Sequence, residues 1–113
     1  PNLFRMAYGA PTNPPRPILV QRMYHMPRKN LSKALELAPE MDALTKSLDV
    51  SIGIGVPMLA SDHEMMGAVY RFNSLEHWGT SVDAMSQNPD FAALVEKAND
   101  LGTLKSSRML MHI

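Results

Sequence analysis

Four histidines are the side chains in this sequence that titrate nearest to neutral pH. His25 stands late in an apolar run and is a weak candidate for a general acid or base, although a backbone hydrogen bond would equally explain it. For His63, in a turn, His77, in the first turn of a helix, and His112, near the last residue, we favour structural or surface roles. No two histidines lie within four residues of each other. The spacing therefore predicts no metal site.

Two arginines interrupt apolar alternations on segments that become neighbouring strands. A guanidinium in such a place is costly unless it is paired, so Arg22 or Arg71 could hold a carboxylate from a ligand or from the protein. An ion pair with Asp62 or Glu64, or a bridge across a dimer interface, is the alternative that we favour.

Tyrosine hydroxyls can orient a substrate or an enolate inside an apolar site. Tyr70 is a weak catalytic candidate on this ground, and Tyr24 a weaker one, whereas in a core both would bond a backbone carbonyl. Gly53 and Gly55 leave one strand face bare, which would admit a ligand or permit close packing. They form no phosphate-binding loop, because a third glycine and a following helix are missing.

Composition restricts the class of protein further. The 113 residues are 45% hydrophobic and 19% charged, which fits one globular domain. Eleven basic residues balance eleven acidic ones, so neither nucleic acid nor a membrane is expected as a partner. The absence of cysteine excludes disulfides, thiolate metal sites and a cysteine nucleophile. No cofactor is indicated, and the lack of a signal peptide or membrane span favours the cytoplasm.

The order of predicted elements indicates the fold. Residues 1–17 are rich in proline and predict an irregular arm, and residues 18–113 predict one α+β domain. Residues 18–26, 51–58, 64–72 and 105–113 have the character of strands. Helical periodicity covers residues 31–48, where Pro39 should kink or restart the helix. It recurs from a cap at Asn73 to residue 99, with a break at Asn88–Pro89.

This βαββαβ order is a ferredoxin-like plan with an antiparallel sheet. Helices cover one face of such a sheet, yet the strands show little polar alternation for a second face in water. A second copy of the same sheet would cover that face, so a homodimer is expected.

The pattern resembles the dimeric α+β barrel superfamily, which includes antibiotic biosynthesis monooxygenases, stress-responsive barrel proteins, olivetolic acid cyclase and NIPSNAP-like proteins. The resemblance spans residues 17–113, and its best local match is the segment Tyr-Arg-Phe-Asn-Ser-Leu-Glu-His-Trp at residues 70–78. It implies a ligand pocket between the sheet and the helices of each protomer. It also implies that Ala68, Tyr70, Phe72 and Trp78 lie on the pocket side.

The sequence departs from the cyclases of this superfamily at their catalytic histidines. Where they have a His-Pro-x-His element, this chain has Asn88-Pro89-Asp90-Phe91, and Phe91 cannot transfer a proton. Their other histidine would fall near Pro17. Cyclase chemistry is therefore not expected.

Ten methionines are an excess for a chain of this length, and methionine fills adaptable apolar space. We therefore expect a pocket that binds an apolar small molecule, such as a fatty-acyl or polyketide-like chain. A cofactor-free monooxygenase or isomerase using Tyr70 and His25 is the second hypothesis, and a structural assembly module is the third. The predicted lining is Met23, His25, Met66, Ala68, Tyr70, Phe72, Trp78, Met85 and Phe91.

Overall fold

A computed structural model describes residues 3–10, 12–59 and 63–111. The predicted turn at Ser61–Asp62 and the histidine at position 112 lie outside these ranges. The elements are β1 (Leu3–Tyr8), β2 (Ile18–His25), α1 (Arg28–Lys46), β3 (Ser51–Leu59), β4 (Met65–Phe72), α2 (Leu75–Ser86), α3 (Pro89–Leu101) and β5 (Thr103–Met111).

The five strands form one antiparallel sheet in the order β1-β3-β4-β2-β5. The four strands after β1 have the ferredoxin-like order, with β2 between β4 and β5. The predicted α+β fold is confirmed, and the pairing of β2 with β4 runs without a bulge from Ile18↔Phe72 to His25↔Met65. This unbroken register fixes which side chains share a face.

The prediction of an irregular N-terminal arm is wrong for the six residues Leu3–Tyr8, which add a strand beside β3. None of the prolines in residues 1–17 falls within the strand, so its backbone N–H groups are free of the proline constraint. The Tyr8 hydroxyl donates a 2.8 Å hydrogen bond to Asp42 of α1, and this bond raises the pKa of Tyr8. The contact attaches the strand to the helical layer.

Helix α1 continues through Pro39 as one helix, without the restart that was one of the two predicted outcomes. Proline costs about 3 kcal/mol inside a helix because a backbone bond is lost. The buried residues Ala34, Ala38 and Thr45 keep the helix on the sheet on both sides of that position. Packing therefore outweighs the local cost.

The predicted cap at Asn73 is displaced by one residue. Ser74 caps α2 by accepting a hydrogen bond from the His77 backbone N–H at 3.0 Å. His77 Nδ1 in turn accepts from the Asn73 N–H at 2.9 Å, and its Nε2 donates to the Leu48 carbonyl at 2.7 Å. Both ring nitrogens therefore bond within the fold, whereas the sequence favoured a surface histidine at this position. The break before α3 is confirmed, with Asn88 as its cap.

The core lies between the sheet and the helices. One cluster centres on Met26, Ala34, Ala38, Ile54 and Met66, and a second holds Ile18, Val50, Ile52 and Phe72. We call this side of the sheet the helix-facing side and the other the open side. No helix within the described ranges is long and apolar enough to cross a membrane.

Candidate binding cavity

A cavity of about 210 Å³ lies between the helix-facing side of the sheet and helices α1 and α3. Alternation places the even-numbered residues of β2, β3 and β4 on its floor. The small side chains of Ala34, Ala38 and Ala98 leave room beneath the helices. The lining consists of Arg22, Tyr24, Met26, Ala34, Leu37, Ala38, Met41, Ile52, Gly53, Ile54, Met66, Ala68, Tyr70, Phe91, Val95, Ala98, Asn99 and Leu104.

A smaller cavity of about 40 Å³, which we call the annex, adjoins this cavity. Arg22, Tyr70 and Phe91 line both spaces and form the partition between them. The other residues of the annex are Val20, Phe72, Trp78, Val82 and Met85.

Among the described residues that line the cavity, Arg22 alone is charged. Its guanidinium carbon lies 5.9 Å from the centre of the Tyr70 ring, within the range of a cation–π contact. Its buried Nε has no hydrogen-bond partner within the described part of the chain. A buried donor without a partner costs about 1–3 kcal/mol, and more when it is charged. Of the two carboxylates considered for this arginine, Glu64 accepts a hydrogen bond from the Arg28 N–H at 3.0 Å, and Asp62 lies outside the described ranges.

Tyr70 lies beside Arg22 on the cavity floor. Burial, with a smaller contribution from the neighbouring Tyr24, raises the pKa of Tyr70 to about 12, and the charge of Arg22 opposes this rise. Because the hydroxyl keeps its proton at neutral pH, it can donate a hydrogen bond and does not act as a base. The cavity thus combines apolar walls with a guanidinium, the phenols of Tyr24 and Tyr70, and the amide of Asn99.

The predicted lining residues fall into three groups. Met66, Ala68, Tyr70 and Phe91 line the cavity, and Phe72, Trp78 and Met85 line the annex beside it. Met23 and His25 do not lie there. The two odd-numbered residues belong to the open side, where Met23 Sδ is 3.3 Å from the position that a Cβ on Gly67 would occupy. Because side chains alternate along a strand, the odd-numbered residues of β2 face away from the cavity.

Sequence reasoning missed most of the helical wall. Leu37 and Met41 of α1 and Val95 and Asn99 of α3 line the cavity. A signal was present in the four-residue step from Ala34 to Ala38, which puts two small side chains on one helix face.

Arg71 and the Cβ directions of Gly53 and Gly55 point to the open side, and Gly53 contributes its backbone to the cavity lining. Arg71 is buried, and its Nη1 donates to Ser51 Oγ at 3.2 Å. Burial lowers the pKa of Arg71, and the charge of Arg16 lowers it further. A Cβ on Gly53 would lie 3.0 Å from Arg71 Nη2, and one on Gly55 would lie 3.6 Å from Phe4 Cδ2. The glycines therefore permit close packing by neighbouring side chains.

His63 is exposed, in keeping with a surface role. Within the described ranges, no group of three or more histidine, aspartate or glutamate side chains is placed to hold a metal ion.

Comparison with known proteins finds no matching family model and no significant match among curated proteins. Several solved structures are similar to this chain in fold. A NIPSNAP family protein from Agrobacterium tumefaciens aligns with a TM-score of 0.68 at 18% identity over 87% of each chain. An uncharacterized NIPSNAP domain protein from Burkholderia xenovorans aligns with a TM-score of 0.63 at 8% identity over 85% of this chain and 92% of that one.

A proposed antibiotic biosynthesis monooxygenase from Chloroflexus aurantiacus aligns with a TM-score of 0.57 at 9% identity over 85% of this chain and 92% of that one. Identities this low carry the fold and not the chemistry. Together with the strand order, these likenesses show that the chain has a ferredoxin-like α+β fold.

Proposed function

We propose that this chain binds a small apolar molecule in the cavity between its sheet and helices α1 and α3. The observation that carries the proposal is a space of about 210 Å³ with walls of methionine, alanine, aliphatic and aromatic side chains. Apolar pockets with a few polar groups are the usual form of small-molecule sites. A pure assembly module would have this space filled by its own side chains.

The monooxygenase or isomerase hypothesis requires Tyr70 and His25 to face the same substrate. Tyr70 lines the cavity, whereas His25 lies on the other side of the sheet. The two side chains therefore cannot act on one substrate within a protomer. Binding is the function that the arrangement supports best.

The test uses toluene, a neutral probe that reports on apolar space alone. At ten times its Kd, toluene should raise the melting temperature by about 5 °C. Ala98→Leu fills the cavity from α3 and should abolish the shift. Ala93→Leu adds the same atoms to an exposed position of that helix and should preserve it. No shift with wild-type protein, or an equal shift in both variants, would refute the proposal.

A homodimer through the open side is part of the proposal. Met6 and Leu110 are each 39% exposed there, and Leu19, Met23 and Val69 are half-buried beside them. An apolar surface of this kind is typical of an interface. Light scattering should give twice the chain mass of 12.6 kDa, and Val69→Asp should return the mass to that of one chain. A monomeric wild-type protein at micromolar concentration would exclude the dimer.

A further inference from the structure

We propose that the ligand is an organic acid whose carboxylate binds Arg22 while its apolar body fills the cavity. The inference rests on the proposed binding function and names the class of molecule. It is carried by the contrast between one guanidinium and a lining that contains no acidic residue among those that the structure describes.

The charge of Arg22 favours an anionic ligand. An arginine that faces an apolar space is stabilised when an anion accompanies it, because the cost of removing a single charge from water is large. The protein supplies no anion in the lining, and the buried Arg22 Nε has no partner within the described ranges. A carboxylate accepts from guanidinium N–H groups in charge-assisted bonds, often two at once.

The hydroxyl of Tyr70 is a second donor beside the guanidinium. Tyr70 lies beneath the guanidinium and remains protonated at neutral pH, so it can donate to an anion but cannot easily become one. The guanidinium of Arg22 and the hydroxyl of Tyr70 can therefore both donate to one acceptor group of a ligand. A neutral or cationic ligand would leave Arg22 without an ionic partner.

The volume of the cavity limits the size of the acid. An apolar cavity of about 150 Å³ admits benzene, so a cavity of about 210 Å³ has room for roughly eight to ten non-hydrogen atoms by the same comparison. Octanoate and phenylacetate both have this size, one as a chain and the other as a ring. A longer fatty-acyl chain would have to extend beyond the cavity.

The experiment compares octanoate with octan-1-ol by calorimetry at neutral pH. Wild-type protein should bind octanoate about tenfold to a hundredfold more tightly, the value of one or two hydrogen bonds to a charged group. Arg22→Met should remove this preference and leave the Kd for octan-1-ol within about twofold. Arg71→Met, on the open side, should retain the preference. Phenylacetate against octanoate then tells whether a ring or a chain is preferred.

Equal binding of octanoate and octan-1-ol by wild-type protein would overturn the inference, and so would a preference that survives Arg22→Met. The wild-type comparison needs no variant, so a folding defect in Arg22→Met does not affect it. Arg22→Lys keeps the charge, lacks the Nε donor and should give an intermediate preference. If toluene binds and octanoate has no advantage, only the acid is wrong; if neither binds, the cavity function itself fails.

Discussion

Arg22 and Arg71 lie on adjacent strands of one sheet and meet opposite surroundings. Arg71, on the open side, donates to Ser51 Oγ and packs against Gly53. Arg22, on the helix-facing side, has a buried Nε without a partner in the described part of the chain, and it faces an apolar cavity. The protein supplies an acceptor to one guanidinium, and the other is the one that we propose binds a ligand. The two faces of the sheet therefore surround an arginine in different ways.

The largest expected effect contrasts the packing of the two faces. Phe72, on the helix-facing side, is only 1% exposed, so Phe72→Ala should lower the free energy of unfolding by about 3–5 kcal/mol. Leu19→Ala, on the open side, removes a half-buried side chain and should cost about 1 kcal/mol. Urea denaturation at low protein concentration measures both. Equal losses would mean that the open side is packed as a core within one chain.

The next effect depends on pH. The pKa of Tyr70 is raised in the folded state to about 12, so the folded form prefers the protonated phenol. This contribution is complete below about pH 10, the value for an unfolded tyrosine, and is lost as pH rises towards 12. Wild-type protein should lose about 2–3 kcal/mol more than Tyr70→Phe over that interval. Parallel alkaline denaturation curves for the two proteins would contradict the burial of this hydroxyl.

The smallest effect has opposite signs at the two arginines. Arg22→Met removes a charged group whose buried Nε has no partner within the described ranges, and should raise the free energy of unfolding by about 1–3 kcal/mol. Arg71→Met deprives Ser51 Oγ of its donor and should lower it by about 1 kcal/mol. Thermal unfolding without added ligand gives both values. If Arg22→Met is destabilising, the guanidinium already has a partner and the comparison between the arginines fails.

Alternation along β4 made part of the cavity predictable. The pattern puts Met66, Ala68 and Tyr70 on one face, and all three line the cavity. The sequence order likewise indicated the ferredoxin-like topology, because periodicity changes from two to nearly four residues at each strand-to-helix transition.

Other features depend on contacts between distant residues. The pairing of β1 with β3 joins residues about fifty positions apart, and no local pattern in a proline-rich segment indicates it. The rotation of α1 and α3 about their axes decides which side chains face the sheet, and the sequence alone leaves several choices. The misplacement of Met23 and His25 has the same origin, because alternation puts both on one face of β2 and only the pairing with β4 identifies that face as the open side.

The position of Phe91 assigns two properties of the proposed site, ligand length and head-group recognition, to different elements of the fold. Its ring stands between cavity and annex, and it belongs to the first turn of α3, whose start is fixed by Pro89 and the Asn88 cap. The groups that would bind a head group, Arg22 and Tyr70, belong instead to the sheet. Changes at the junction of α2 and α3 would therefore alter the length of the molecule that fits and leave head-group recognition intact. Descendants of this chain could change ligand size by mutation of one helix start while conserving the chemistry of the strands.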